Sequence, residues 1–213
     1  DISRQMHILN NGAYGFSSIT GSRIFLKAHQ IMTVARCVEN RPVRYMLADE
    51  VGLGKTIEAC SVIKVLQEHQ SDLQVLYVLP EALVEQWRFE LITKFSIEGV
   101  RSEEADSYTK HHILTFEELL ECSDVRGLGL KFDLVLIDEG HHILKDDDLY
   151  ERTLTLSKTV EHILLLSATP IQDRKEEYLR LLTLLNPKRY EEMEQKTFDS
   201  IVDKQQLIQE QLY

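Results

Sequence analysis

Residues 48–56 read Ala-Asp-Glu-Val-Gly-Leu-Gly-Lys-Thr, and they lie between an apolar run at residues 45–48 and a helix-length segment at residues 57–68. A glycine-containing loop between a strand and a helix is typical of a phosphate-binding loop. Glycine accepts positive φ values and lets backbone N–H groups and a helix N-terminus approach an anion. The alternative is a glycine turn that caps an ordinary helix. The order of the elements favours the phosphate-binding loop.

The residue types in this loop predict contacts with a nucleotide. We expect Lys55 to reach the β- and γ-phosphates and Thr56 to supply a hydroxyl to Mg²⁺. The strict G-x-x-x-x-G-K-[ST] pattern fails at its first position, which Asp49 occupies in place of glycine. The predicted nucleotide-binding loop comprises Asp49, Glu50, Val51, Gly52, Leu53, Gly54, Lys55 and Thr56.

Short runs of branched apolar residues recur along the chain, with helix-length segments between them. Their near-continuous hydrophobicity is typical of strands in a parallel sheet covered by helices on both faces. The alternation of strand and helix therefore predicts a single α/β domain with right-handed crossovers. We interpret the polar segment 98–110 as a loop or a degenerate crossover. The predicted strands span residues 45–48, 75–79, 113–115, 134–137 and 163–166, and the predicted helices span residues 57–68, 81–95 and 175–185, with more helix after Pro187.

The composition restricts the class of protein. With 213 residues, 43% of them hydrophobic and 28% charged, the chain is not a disordered tail, a collagen-like repeat or a coiled-coil rod. No apolar run approaches the roughly 18 residues that suggest a membrane span, so we expect no membrane partner. The three cysteines form no C-x-x-C pair, which predicts a cytoplasmic location without disulfides or a zinc knuckle. Because the chain begins at Asp1, we expect it to be a piece of a longer protein.

A second candidate feature is a pair of carboxylates at the end of a predicted strand. Residues 134–142 read Leu-Val-Leu-Ile-Asp-Glu-Gly-His-His. In an open α/β sheet, the carboxyl ends of the strands form the edge at which ligands bind. We expect Asp138 to hold Mg²⁺ through its water shell and Glu139 to orient or deprotonate the attacking water. An acidic loop after a core strand is the alternative.

Two histidine pairs, 111–112 and 141–142, invite a metal interpretation, which we reject. Neither pair has the i, i+4 spacing or the cysteine partners of zinc sites, and H-E-x-x-H is absent. We expect His141 to bond across to Ser167 or Thr169. These two residues belong to a Ser-Ala-Thr-Pro sequence at the end of the last predicted strand, where small hydroxyl residues can relay the state of the γ-phosphate. The predicted coupling residues are His141, Ser167, Ala168 and Thr169.

Taken in order, Asp-Glu-Val-Gly-Leu-Gly-Lys-Thr, Asp-Glu-Gly-His and Ser-Ala-Thr-Pro resemble the motifs of the superfamily 2 helicase-like ATPases, specifically the Swi/Snf type. A phosphate loop that begins with Asp is a mark of that type. Residues 47–59 and 184–190 resemble its bacterial RapA-like branch. The resemblance implies a RecA-like P-loop domain with a mostly parallel sheet and helices on both faces, and with ATP and Mg²⁺ as cofactors. Gly140 replaces the usual Ala of the Asp-Glu-Ala-His box, a small-for-small change.

The resemblance also implies roles for residues outside the phosphate loop. Gln30 matches the segment that reads adenine. Residues 79–87 look like a motif whose loop touches the nucleic-acid backbone, and Thr115 belongs to the next such motif. We expect Trp87 to be a core residue and not a stacking platform. The predicted nucleic-acid contacts are Pro80, Gln86 and Thr115.

The resemblance divides the chain into an N-terminal extension at residues 1–23, an ATP-binding lobe at residues 24–190 and a helical segment at residues 191–213 that leads to a second RecA-like lobe. Nothing after residue 190 resembles that second lobe, which carries the arginine finger in family members. An arginine finger is worth roughly 10³ to 10⁵ in rate, so we expect the single lobe to bind nucleotide and to hydrolyse it weakly.

Two functions remain open from the sequence. The first is the N-terminal motor lobe of a translocase that moves on double-stranded DNA, and the second is an ATP-gated switch that remodels a protein such as RNA polymerase. The net charge of −11 weighs against a DNA partner, because lysine and arginine contacts to phosphate usually dominate affinity. DNA could still bind in a narrow groove of loops if basic residues are concentrated there. Candidate residues are Arg44, Lys94 and Lys110.

Overall fold

The computed structural model describes residues 22, 24, 26–48, 54–167 and 174–212, with side chains as far as residue 204. Its centre is a six-stranded sheet in the order β1-β6-β5-β2-β4-β3, in which every neighbouring pair is parallel. The predicted α/β fold is therefore confirmed. The strands are β1 (Arg44–Leu47), β2 (Val75–Leu79), β3 (Val100–Arg101), β4 (His111–Thr115), β5 (Leu134–Ile137) and β6 (His162–Leu166).

Helices follow most of the strands and cover both faces of the sheet. Short 3₁₀ turns at Glu81–Leu83 and Gly140–Lys145 follow β2 and β5. The α-helices are α1 (Ala28–Glu39), α2 (Lys55–His69), α3 (Val84–Phe95), α4 (Phe116–Glu121), α5 (Val125–Gly129), α6 (Asp147–Thr159), α7 (Lys175–Leu185), α8 (Pro187–Tyr190) and α9 (Gln195–Leu212). In the part of the chain that the structure describes, no helix combines the length and apolar character needed to cross a bilayer.

The two faces of the sheet support two separate cores. Successive side chains of a strand point to opposite faces, and in β2 the side chains of Val75, Tyr77 and Leu79 enter one core while those of Leu76 and Val78 enter the other. All five are fully buried. Because both faces need apolar residues, the central strands carry continuous apolar runs instead of an alternating pattern.

Arg44, at the start of β1, joins the sheet to two helices. Its guanidinium donates to carbonyl oxygens around the C-terminal ends of α6 and α7, over distances of 2.6 to 3.2 Å. The acceptors at α6 are Ser157, Val160 and Glu161, and those at α7 are Leu184 and Leu185. The last carbonyls of a helix have no partner within the helix. Arg44 therefore satisfies them and is not available for a DNA phosphate, contrary to our expectation from the sequence.

The structure corrects two of the predicted secondary-structure elements and confirms a third. The segment 98–110 contains the short strand β3, whose next residue, Ser102, donates its N–H to Ile113 O at 2.9 Å. The single helix predicted over residues 81–95 is a 3₁₀ turn followed by α3. The helical prediction after Pro187 is confirmed by α8 and α9, and α9 packs on α7 through the rings of Phe198 and Tyr178, 5.7 Å apart.

Candidate nucleotide-binding site

The carboxyl ends of three neighbouring strands bring the predicted site residues to one edge of the sheet. Leu47 pairs with Leu166, and Ile137 pairs with Leu165. Asp138 and Ser167, which directly follow β5 and β6, therefore lie at the edge where β1 also ends. Ser167 is 2% exposed, and its N–H donates to Leu47 O at 3.1 Å. This arrangement is the ligand-binding edge of an open α/β sheet.

Gly54, in the predicted phosphate loop, is the N-cap of the fifteen-residue helix α2. Its φ is +97°, a conformation that glycine adopts readily and that L side chains rarely adopt. Lys55 and Thr56 form the first turn of α2 and are half-buried. Residues 49–53 of the predicted loop lie outside the described residues, so their contacts stay predictions. The described part of the loop places a helix N-terminus, with its partial positive charge, at the edge of the sheet.

Gln30 lies against this turn. Its side chain is 3% exposed, and its Oε1 accepts the Lys27 N–H at the start of α1 at 2.9 Å. A β-carbon built at Gly54 would lie 2.4 Å from Gln30 Nε2. The structure thus brings Gln30 to the phosphate loop, while the predicted contact with adenine stays a prediction.

Asp138 is held by two hydrogen bonds. Its Oδ2 accepts the indole N–H of Trp87 at 2.9 Å, and its Oδ1 accepts the Glu139 N–H at 2.8 Å. Burial raises the pKa of Asp138 above its ordinary value, and the two hydrogen bonds and the positive charge of Lys55 oppose that rise. The two hydrogen bonds therefore hold both oxygens of the Asp138 carboxylate at this edge of the sheet.

Trp87 is a contact of the site that our sequence reasoning missed. It is 2% exposed, so the prediction that it packs in the core is confirmed. A buried indole N–H, however, usually finds a hydrogen-bond acceptor. That requirement is the signal that could have indicated a polar partner, although the sequence does not show which acceptor it is.

Glu139 adopts a left-handed backbone conformation, with φ 52° and ψ 47°. Non-glycine residues in this region are strained, and such strain clusters at functional sites. Glu139 Oε2 lies 3.1 Å from His141 Nδ1. Burial lowers the pKa of His141, His142 lowers it further, and Glu139 opposes the change. The structure places His141 beside the predicted catalytic carboxylate. Ala168 and Thr169 lie outside the described residues, and the predicted bond to Ser167 or Thr169 stays a prediction.

The donor set suits Mg²⁺ better than a metal held by protein ligands alone. Among the described residues, no group of three or more His, Cys, Asp or Glu side chains could hold a metal ion. Mg²⁺ keeps several waters and is bound by one or two carboxylates together with substrate phosphates. Asp138, with the Thr56 hydroxyl at the start of α2, matches that requirement.

The predicted nucleic-acid residues lie in different environments. Pro80 precedes the 3₁₀ turn, and Gln86 is exposed on α3, where its Nε2 donates to Glu90 Oε1 at 3.2 Å. Thr115 is 2% exposed, and its hydroxyl accepts the Glu118 N–H at 3.1 Å as the N-cap of α4. The predicted contacts stay predictions, and for Thr115 both burial and capping weigh against a phosphate contact.

The other two basic residues suggested for DNA are also engaged. Lys94 Nζ donates to Glu90 Oε2 at 3.0 Å, and Lys110 Nζ donates to Ser71 O at 2.8 Å. Together with Arg44, they are poor candidates for a DNA-binding groove in this structure.

Comparison with known proteins identifies the family. The sequence model of the SNF2-related domain family matches residues 29–212 of this chain. The chain belongs to the SNF2-related family. This membership and the likeness to RapA confirm the resemblance to Swi/Snf-type superfamily 2 ATPases of the RapA-like branch.

Curated relatives agree with this assignment. RNA polymerase-associated protein RapA of Erwinia tasmaniensis is 33% identical over 212 residues, which cover 88% of this chain and 22% of RapA. The ATP-dependent helicase YqhH of Bacillus subtilis is 35% identical over 162 residues, covering 75% of this chain and 29% of YqhH. The chain thus spans less than a third of the length of these relatives, and the family assignment makes it a helicase-like ATPase lobe.

Solved structures show the same fold. The SWI2/SNF2 ATPase core of Sulfolobus solfataricus in complex with dsDNA superposes with a TM-score of 0.70 at 20% identity, covering 84% of this chain and 39% of that one. The SWI2/SNF2 ATPase core domain of the same organism gives a TM-score of 0.69 at 18% identity, covering 89% of this chain and 40% of that one. Both support a RecA-like arrangement of the sheet and its helices.

Proposed function

We propose that this chain is the N-terminal motor lobe of a translocase that couples Mg-ATP hydrolysis to movement on double-stranded DNA. The observation that carries the proposal is that Asp138 and Ser167 directly follow strands whose carboxyl ends lie beside that of β1, in a chain of the SNF2-related family. Residues 24–190 form the lobe, residues 1–23 extend it, and residues 191–213 lead to a second lobe.

In this proposal each side chain has one task. Lys55 and the N-terminus of α2 bind the β- and γ-phosphates, and Gln30 is placed to bond the adenine edge. Thr56 and Asp138 would hold Mg²⁺, which would supply positive charge to neutralise the phosphates. Glu139, in its left-handed conformation, orients or deprotonates the attacking water. His141, with Ser167, Ala168 and Thr169, reports the state of the γ-phosphate.

Support for double-stranded DNA comes from the relatives. The Sulfolobus solfataricus ATPase core was solved in complex with dsDNA, and it shares the fold of this chain. Pro80 and Gln86, which lie at and after the carboxyl end of β2, are the proposed contacts with the nucleic-acid backbone. A second RecA-like lobe would supply the arginine finger, so we expect the single lobe to have weak ATPase activity.

A second candidate function has its own support. The RapA relatives are named for their association with RNA polymerase, and the net charge of this chain is −11. These observations favour an ATP-gated switch that acts on a protein partner with little dependence on nucleic acid. Stimulation of ATP hydrolysis by nucleic acid separates the two functions.

Calorimetry with Mg-ATP tests the nucleotide site. We expect Lys55→Ala to abolish binding, whereas Lys64→Ala, a matched lysine later in α2, leaves it intact. Glu139→Gln is expected to keep ATP binding and to lose turnover. Unchanged affinity in Lys55→Ala would remove the phosphate-loop assignment, and normal turnover in Glu139→Gln would place the catalytic carboxylate elsewhere.

A further inference from the structure

We propose that Trp87 is a positioning residue that fixes the Asp138 carboxylate in the orientation required to hold Mg²⁺. The proposal rests on the proposed function, because it concerns the same metal site. It assigns to Trp87 a task beyond core packing, carried out through its single polar atom.

The two hydrogen bonds to Asp138 determine the orientation of its carboxylate. The Trp87 indole N–H donates to Asp138 Oδ2 at 2.9 Å, and the Glu139 N–H donates to Asp138 Oδ1 at 2.8 Å. With a donor on each oxygen, rotation of the carboxylate about its Cβ–Cγ bond would break both bonds. Each oxygen keeps a further acceptor site. The pair of donors therefore leaves Asp138 rigid and still able to bind the water shell of a cation.

Trp87 is itself held rigidly. Its ring is 2% exposed and packs against the ring of Tyr77, with 5.7 Å between the centroids. Tyr77 is fixed in turn, because its hydroxyl lies 3.0 Å from His111 Nδ1. The indole donor therefore projects from a packed core and not from a mobile loop. Partners of this kind, which orient a metal ligand from behind, typically contribute 10- to 100-fold to metal affinity or activity.

Pure core packing is the competing interpretation. A phenylalanine at position 87 would keep most of the apolar ring and lose the N–H donor. If Trp87 acts only through packing, this change affects stability without a specific effect on Mg²⁺. If Trp87 orients Asp138, the change raises the Mg²⁺ concentration that ATP binding requires, even when the protein remains folded.

Calorimetric titrations of ATP at a series of free Mg²⁺ concentrations distinguish these interpretations. We expect Trp87→Phe to raise the half-maximal Mg²⁺ concentration about tenfold or more. Phe95→Leu is the matched control, because it trims another buried ring of α3 without removing a donor to Asp138, and it should leave that concentration unchanged. Equal Mg²⁺ requirements in the wild-type protein and Trp87→Phe would overturn the inference, as would equal losses in both variants. If the wild-type chain fails to bind Mg-ATP, the proposed function fails as well.

Fluorescence tests the same contact with Trp87 itself unchanged. Trp87 is the only tryptophan in the 213-residue chain, so its emission reports on the surroundings of one indole. Mg²⁺ bound at Asp138 places positive charge near that indole. At saturating ATP, we expect added Mg²⁺ to shift the emission in the wild-type chain, and no shift in Asp138→Asn. Emission that is indifferent to Mg²⁺ in the wild-type chain, while calorimetry shows Mg²⁺-dependent ATP binding, would overturn the inference and leave the nucleotide site intact.

Discussion

The side-chain amide of Gln30 packs against Gly54 so closely that a β-carbon at residue 54 would lie 2.4 Å from Gln30 Nε2. Gly54 also has a φ of +97°. The backbone conformation requires glycine at this position, and a β-carbon there would also displace the Gln30 amide. The segment that we expect to read adenine is therefore in direct contact with the last glycine of the predicted phosphate loop.

Replacement of Gly54 by alanine should impair ATP binding. A left-handed backbone costs an L residue roughly 1–2 kcal/mol, and the added methyl group would displace Gln30. We expect ATP affinity to fall by about tenfold or more, because about 1.4 kcal/mol corresponds to a factor of ten. Calorimetry with Mg-ATP measures this change.

Gly140→Ala is the matched control for Gly54→Ala. A β-carbon at Gly140 would meet Leu166 O at 3.5 Å, an ordinary contact distance. The substitution also creates the Asp-Glu-Ala-His sequence usual in the family. We expect stability to change by no more than about 0.5 kcal/mol, with ATP binding retained. A loss as large as that of Gly54→Ala would show that the site tolerates no glycine substitution at all.

Arg44→Lys should destabilise the fold. Lysine cannot reproduce a guanidinium that donates to carbonyls of both α6 and α7, and each lost hydrogen bond in this half-buried position costs about 0.5–1.5 kcal/mol. We expect the free energy of unfolding, measured in urea, to fall by about 2–4 kcal/mol in total.

Arg88→Lys provides the comparison for Arg44→Lys. Arg88 lies on α3 and contacts Glu85 at 3.3 Å in an exposed pair. Such pairs contribute about 0–1 kcal/mol, so little loss of stability is expected. Similar losses in the two variants would contradict the structural role assigned to Arg44.

Acid should weaken the fold partly through His111. Burial, together with Lys64, His112 and Lys110, lowers the pKa of His111 from 6.5 to about 4. Its Nε2 lies 2.8 Å from Gln67 Nε2, an amide nitrogen that can only donate, so a proton added at His111 Nε2 would place two donors face to face.

The direction of the pH dependence follows from that lowered pKa. The unfolded state binds the proton more readily, so the stability that neutral His111 provides is present above about pH 6.5 and is lost as the pH falls toward 4. We expect a contribution of about 2–3 kcal/mol to disappear between pH 7 and pH 4.5. Urea unfolding at both pH values should show a shallower pH dependence in His111→Gln. An identical dependence in the variant would contradict the assignment.

The fold could be predicted from the sequence because its strands are buried on both faces. Continuous apolar runs such as those at β2 and β5 identify strands wherever no polar face is needed. The short edge strand β3 has only two residues, Val100–Arg101, and an edge strand of that length leaves no hydrophobic pattern. Its pairing with β4 is set by tertiary context, which a local pattern does not encode.

The candidate site was predictable to a lesser extent. Lys55, Asp138 and Glu139 follow from residue type and order, because strand ends meet at one edge of a parallel sheet. The tasks of Trp87 and Arg44 cannot be predicted in this way, because each depends on a hydrogen-bond partner that is far away in the sequence. An arginine that satisfies helix carbonyls and one that contacts DNA have the same sequence signature, and only the surrounding backbone distinguishes them.

The most direct test of the central claim is ATP hydrolysis by the complete protein that contains this chain, measured alone and with duplex DNA, single-stranded DNA or RNA. Glu139→Gln supplies the background rate. The translocase assignment predicts that duplex DNA stimulates hydrolysis more than single-stranded DNA or RNA does, and that this stimulation is absent in Glu139→Gln. A rate that no nucleic acid changes would contradict the assignment and favour the protein-directed switch.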